Sequence, residues 1–316
     1  MIVTIGLHII DVCVVPVDEI PRKQDVAIVD DINISVAGTA AGTAVNLAKL
    51  GNDVVTVGAV GNDEMGDILL RIMGRYGINI DYIKKKENNK TSCTVLPIRK
   101  NGERPALHLI GANATLCYED IPHEIIKSAN FCHIGGFYLL KSFDGEPTLK
   151  TLRLAKDSGA ITTMDIIGIK CENMSEMILP CMEYLDYFMP NLEEAQLITG
   201  LQDIDEIADY FLRNGANAVV LKMGSQGSFI KTKTGLRRRQ SAFMVKVVDT
   251  TGCGDAFNSG FITALSKGMS ETESVEFGSA CGSLCATGLS SNAGIINYEE
   301  TLKFMKTTPS LPLEIP

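Results

Sequence analysis

The chain is short of positive charge: 29 Lys and Arg stand against 38 Asp and Glu, leaving a net charge of -9 at pH 7. General binding to nucleic acid rests on clustered Lys and Arg, so that class is excluded. The one basic run, Arg237-Arg238-Arg239, lies between two segments of β character and reads as a solvated turn or strand end. Paired cysteines are also missing. The nine Cys stand at 13, 93, 117, 132, 171, 181, 253, 281 and 285, an odd count with no Cys-x-x-Cys. Neither a disulfide framework nor a zinc ribbon is expected, and a reducing cytoplasm is the expected compartment. Cys281 and Cys285, four apart on an expected helix, read as small buried apolar residues. No stretch reaches the length of a membrane-spanning helix without a charge or a Gly break, so no membrane partner is expected. The apolar start, residues 1–15, has no Lys or Arg ahead of it and is interrupted by Asp11. It reads as a buried first strand rather than a leader. Two nucleotide fingerprints are absent as well. The first strand is not followed by Gly-x-Gly-x-x-Gly, which excludes a dinucleotide oxidoreductase. No Gly-x4-Gly-Lys-[Ser/Thr] occurs, which excludes a P-loop kinase.

What is there is the material of an α/β protein. The 316 residues are 45% hydrophobic, enough for one large core. Apolar strands are expected at 2–9, 54–59, 130–134, 160–165, 186–189 and 217–222. Helices are expected at 40–50, 63–74, 145–158, 173–182, 192–199, 203–214, 254–267 and 271–288. Such alternation indicates a mostly parallel central sheet with helices on both faces. Further β structure is expected at 228–231 and 242–248, and an irregular tail around Pro309, Pro312 and Pro316. Two β-rich pieces, about 12–36 and 91–110, interrupt the alternation; the second reads as a hairpin around Asn101-Gly102. They are expected to meet as one small sheet, a lid inserted into a single domain spanning 1–316.

The most informative stretch is Asp249-Thr250-Thr251-Gly252-Cys253-Gly254-Asp255-Ala256-Phe257, which follows an apolar strand pattern and opens a helix. Its glycines let the chain turn tightly enough for amides 252–255 to converge, with the helix N-terminus behind them. That is a site for an anion such as a phosphate. Asp255 sits inside that site. The plain alternative is a helix cap, which the complete string weakens.

This string resembles the C-terminal signature Asp-Thr-x-Gly-Ala-Gly-Asp of the PfkB/ribokinase family of carbohydrate kinases, with Cys253 where Ala is usual. The resemblance implies a ribokinase-like α/β fold. It implies ATP-dependent phosphorylation of a sugar hydroxyl, with Asp255 as general base and Gly252, Cys253 and Gly254 as the anion hole. It further implies that Asp249 and Thr251 are candidate ligands of a monovalent cation, usually K+. Other segments agree in order. Gly6-Leu7-His8-Ile9-Ile10-Asp11 resembles a first-strand Gly-x4-Asp whose Asp binds substrate hydroxyls. Gly111-Ala112-Asn113-Ala114 resembles a Gly-Ala-Asn-Ala stretch, which makes Asn113 a substrate-binding candidate. Asn191 and Glu194 match Asn-x-x-Glu, the pair that orders Mg2+-bound water in the family; alone they read as a helix cap and its box partner. Lys222-Met223-Gly224-Ser225-Gln226-Gly227 resembles a nucleotide loop, so Lys222, Gly224 and Gly227 join the nucleotide candidates with Gly252 and Gly254.

Two segments depart from the family. Between Ala37 and Gly51 the usual Gly-Gly and Asn are replaced: Gly38 and Gly42 hold the substrate-facing positions, and Asn46 comes one turn later. The frequent Asp-x-Asn-x-Arg is Asp165-Ile166-Ile167-Gly168-Ile169. Residues 37–40 carry no cation for a substrate phosphate, so an uncharged or weakly charged acceptor is expected, a free sugar or a nucleoside. The alternatives are a nucleoside kinase and an idle sugar- or nucleoside-binding regulator of the same fold. The apolar content of 12–36 exceeds what a thin sheet can bury, and similar kinases pair such sheets, so a homodimer through the lids is expected.

Overall fold

The computed structural model describes residues 1–100, 103–169 and 171–313. Among the described residues thirteen strands follow in chain order: β1 (Ile2–Gly6), β2 (Ile9–Val15), β3 (Asp31–Ala37), β4 (Val54–Gly61), β5 (Asn79–Lys86), β6 (Cys93–Pro97), β7 (Leu107–Leu109), β8 (Phe131–Phe137), β9 (Ile161–Ile166), β10 (Tyr187–Phe188), β11 (Ala218–Lys222), β12 (Ser228–Thr232) and β13 (Arg237–Gln240). Nine form the main sheet in the order β13-β12-β11-β10-β9-β8-β1-β4-β5, parallel except at β12 and β13. Four form a second sheet in the order β3-β2-β6-β7. Both sheets were expected, and the two β-rich pieces do meet: β2 pairs with β6 with Asp11 opposite Thr94.

The main sheet is covered on both faces because its central strands are apolar throughout. Alternate residues of β11 show the division: Val219 and Leu221 pack with the helix Ile204–Arg213, and Val220 packs with Phe257 and Phe261 of the helix Cys253–Ser266. The chain leaves β1 in one direction for β4 and β5 and returns on the other side as β8. The crevice at the carboxyl ends of parallel strands near such a reversal is where an open α/β sheet binds ligands. No described helix is long and apolar enough to cross a membrane.

Several boundaries differ from expectation. The first strand ends at Gly6, and the chain crosses into the second sheet at Ile9. Asp11 therefore belongs to β2 of the lid and not to the end of the first strand. Residues 26–30 are not in a strand, and Val26 and Ile28 are exposed. Arg237-Arg238-Arg239 forms edge strand β13, whereas 242–248 contributes only a bridge from Phe243 to Ser310. Edge strand β5 and the helix Tyr298–Thr307, capped by Asn297, were not expected. The hairpin strands β6 and β7 pair as read; Asn101-Gly102 and Pro316 lie outside the described residues.

Candidate active site

A cleft of about 320 Å³ opens between the lid and the strand ends. Its walls include Asp11, Thr94 and Arg104 from the lid, Gly38 and Thr39 at a helix start, and Thr251, Gly252, Asp255 and Ser291. Gly252 caps the helix Cys253–Ser266 with φ of 74°, a left-handed conformation that a Cβ would strain. That conformation aims the first turn of the helix into the cleft, where first-turn amides have no partner within the helix. The Cys253 N–H donates to the Thr250 carbonyl (3.3 Å). Of the amides at 252–255 that were expected to converge on an anion, that of Cys253 is engaged in this way, whereas no described carbonyl outside the helix accepts from those of Gly252, Gly254 and Asp255. The Cys253 side chain packs with Ala256, Cys281 and Cys285, as a small spacer would.

Asp255 is not a cap; that position is Gly252, and no described residue donates to the Asp255 carboxylate. Gly42 makes room for it: a Cβ at 42 would lie 2.9 Å from Asp255 Oδ2. Burial, then repulsion from Asp165, pushes the Asp255 carboxyl up to about 7, and Lys222 only partly offsets them. Both effects work against the positive end of the helix, which favours the ionised form.

Behind Asp255 lies a cluster at the ends of β9 and β11. Lys222 Nζ donates to Asp165 Oδ2 at 2.6 Å, and Asn258 Nδ2 donates to the same oxygen at 2.6 Å. Glu194 is raised to about 7 by burial and then by Asp165. Asn191 and Glu194 form a reciprocal capping box, each accepting the other's N–H at 2.8 Å, and Glu194 Oε1 also accepts the Gly168 N–H at 3.1 Å. The carboxylates of Asp165, Glu194 and Asp255 outnumber Lys222, an imbalance that a divalent cation would offset. No group of three ligating side chains that could hold a metal ion directly occurs among the described residues. Glu194 keeps lone pairs beyond the two N–H groups it accepts, so the donors present fit Mg2+ held through water. Gly224 opens the turn Gly224–Gln226 just after β11 and Gly227 closes it, at the same end of the sheet.

Asp11 lines the cleft, and burial lifts its carboxyl to about 6 against the hydrogen bond from Thr94. Asn113 is not brought to the cleft. It is buried, accepts the His8 N–H (3.1 Å), and donates to the His8 carbonyl (2.9 Å) and Ser92 Oγ (2.8 Å). These bonds tie His8, between β1 and β2, to Ser92 just before β6, and Asn113, expected at the substrate, is not among the residues lining the cleft. Asn46 is likewise buried and donates to the Ser291 carbonyl at 3.4 Å.

The monovalent-cation assignment does not fit. Asp249 Oδ1 accepts the Thr251 N–H and hydroxyl, both at 2.8 Å, and also the Arg104 guanidinium. Its Oδ2 accepts the Ser290 N–H at 3.2 Å. Burial works to raise the Asp249 carboxyl, but these hydrogen bonds and Arg104 together hold it below the ordinary value. The Arg104 guanidinium already supplies positive charge at this carboxylate, and Oδ1 is filled by three donors.

Sequence reasoning missed Arg104, Asp165 and Asn258 as site residues. Asp165 had a usable signal, a carboxylate closing a buried apolar strand. Arg104 had none, because only the folding of the lid carries it to Asp249.

Comparison with known proteins bears on this geometry. The family model "pfkB family carbohydrate kinase" matches residues 1–296. The 5-dehydro-2-deoxygluconokinase of Clostridium perfringens is 30% identical, over 87% of this chain and 85% of its own length. The 2-dehydro-3-deoxygluconokinase of Bacillus subtilis is 26% identical, over 85% of this chain and 86% of its own. The structure of Arabidopsis thaliana ribokinase with ribose and ATP superposes with a TM-score of 0.82 at 23% identity, covering 96% of this chain and 98% of that one.

Proposed function

The chain belongs to the pfkB family of carbohydrate kinases, and from that premise we propose that it moves the terminal phosphoryl group of ATP onto a hydroxyl of an unphosphorylated sugar-like acceptor. The observation that carries this reading is the Asp255 carboxylate, which lines the cleft beside the first-turn amides of its own helix. In-line phosphoryl transfer is mostly a matter of positioning and charge stabilisation, with the attacking hydroxyl losing its proton as it bonds to phosphorus. Asp255 accepts that proton, and a carboxyl raised to about 7 is matched to the task near neutral pH. The Gly254 and Asp255 amides receive the transferred phosphoryl group, and Asp11 accepts hydrogen bonds from acceptor hydroxyls. The 222–227 turn and Lys222 serve the nucleotide side. Magnesium, held through water at Asn191 and Glu194, would offset charge on the nucleotide phosphates.

The acceptor is read from the walls of the cleft. Residues 37–40 carry no cation, and the charge of Arg104 is met by Asp249. This supports an acceptor without a phosphate, a free sugar first and a nucleoside second. The gluconokinase relatives, named for sugar acids, make a singly charged acid the other member of the class. The test is nucleotide turnover on ribose, fructose, adenosine, 2-dehydro-3-deoxygluconate, 5-dehydro-2-deoxygluconate and fructose 1-phosphate. Turnover on an unphosphorylated sugar or sugar acid supports the reading; turnover on fructose 1-phosphate alone overturns the acceptor class. Binding of these compounds with no turnover on any would favour an idle regulator.

The outer face of the lid supports a homodimer. Ile34, Val12, Val95 and Leu107 stand in one row across its four strands, and Ile34, Val95 and Leu107 are exposed. A second copy would cover that row, and a strictly monomeric species in sedimentation at micromolar concentration would argue against it. Nine free cysteines support a reducing, cytoplasmic setting.

A further inference from the structure

We propose that Arg104 supplies the positive charge at Asp249 that the family resemblance leaves to a monovalent cation, so that closing the lid and ordering the anion-hole loop are one event. This rests on the kinase reading above and adds to it a positioning residue and an independence from potassium.

Asp249 ties three segments together. The first is its own loop, through the Thr251 N–H and hydroxyl. The second is the segment after the helix Glu271–Cys285, through the Ser290 N–H. The third is the lid, through Arg104, whose Nη2 also donates to the Thr250 hydroxyl at 3.0 Å. The guanidinium thus grips Asp249 and Thr250 together, in the fork geometry that suits Arg and not a point charge. The Asp249 side chain is 2% exposed and the Arg104 side chain 25%. A carboxylate so buried needs a compensating charge, and taking one partner away leaves the other stranded. Arg104 comes from the loop between β6 and β7, so it can reach Asp249 only while the lid lies over the cleft. Two and three residues after Asp249 in its own loop, Thr251 and Gly252 line the cleft and set the start of the helix that carries Asp255. With the lid away, Asp249 loses its charge partner and the 249–252 turn loses one of its fixed points. With the lid down, the turn is held and the first-turn amides of Gly254 and Asp255 are placed for the phosphoryl group. Arg104 touches neither transferred atom nor base; it acts through Asp249.

The experiment compares wild type, Arg104→Ala and Arg104→Lys in KCl and in tetramethylammonium chloride, with and without tens of millimolar guanidinium. Two readouts are taken: steady-state kinetics with the best acceptor, and the thermal midpoint. Wild type is expected to vary less than about 2-fold in kcat between the two salts and to keep one midpoint. Arg104→Ala is expected to lose roughly 10²-fold in kcat with little change in nucleotide KM, as expected when positioning is lost. Guanidinium is expected to recover at least about 10-fold of that loss, and potassium to raise the variant's midpoint. Arg104→Lys, which keeps the charge without the fork, should fall between. A wild type that loses 10-fold or more in tetramethylammonium overturns the proposal, as does an Arg104→Ala variant within about 3-fold of wild type in kcat. The midpoints test the latch without turnover: a wild-type midpoint that rises in potassium contradicts it even if no acceptor is phosphorylated, whereas absence of turnover with the expected midpoints counts against the kinase reading alone.

Discussion

Replacing Asp255 by Asn should make the protein more stable as the pH rises, and the size of the gain follows from the surroundings of the carboxyl. Asp255 is 8% exposed, and its carboxyl is raised from 3.8 to about 7, by burial first and the Asp165 charge second. The folded state therefore prefers the protonated form. Stability from this preference is fully present below the unfolded value, near pH 4, and is lost as pH rises through about 7. At roughly 1.4 kcal/mol per pH unit the full effect is about 4 kcal/mol. Asn cannot ionise and escapes this loss. Urea unfolding of both proteins at pH 5.5 and pH 8.5 reads this effect, because differences in shape or hydrogen bonding change little with pH. The stability gap between Asp255→Asn and wild type should widen by about 2 kcal/mol between those two values. A gap that stays constant would show that Asp255 is ionised in the folded protein at both, and would refute the burial argument.

The same carboxyl sets the pH dependence of turnover: kcat/KM should rise with pH through about 7 and level off above it, since only the ionised form accepts a proton; a flat profile from pH 5.5 to 8.5 would contradict this. Gly42→Ala should leave the thermal midpoint unchanged or slightly higher, because Ala is the better helix former, yet lower kcat by roughly 10-fold or more as its Cβ, 2.9 Å from Oδ2, turns the carboxylate aside. Asn113→Ala should cost roughly 2–4 kcal/mol in urea unfolding, because it orphans the buried backbone of His8, and should change acceptor KM less than about 3-fold; a large KM change at unchanged stability would restore Asn113 to the substrate site.

What could be read in the sequence follows what is local. The Asp249–Asp255 string fixes its own turn and helix start, and Asn191 and Glu194 are a capping box in sequence and in structure alike. The strand–helix alternation was legible because the buried parallel strands are apolar runs. Edge strand β5, with three consecutive Lys from 84 to 86, carries no such run, and β13 is basic because it borders solvent. The crossing from β1 to β2 was hidden because residues 2–10 are apolar almost throughout, although they serve two different sheets. The motif around Asn113 was legible, but the bonds of its side chain to His8 and Ser92, 105 and 21 positions earlier, form only in the fold. The raised carboxyl of Asp255 was not legible, because the helix end beside it is visible in the sequence, whereas Asp165 and Glu194, 90 and 61 positions earlier, become its neighbours only in the fold. Arg104 and Asp249 are 145 residues apart and meet only through the lid.

The account stands on Asp255 acting as the base of a phosphoryl transfer, and kcat of Asp255→Asn on the best unphosphorylated acceptor, measured beside its nucleotide Kd at pH 8, tests this most directly. A base predicts a fall in kcat of roughly 10²–10⁴-fold with nucleotide affinity within a few-fold of wild type. A kcat near that of wild type, in a variant that folds and binds nucleotide, would contradict it.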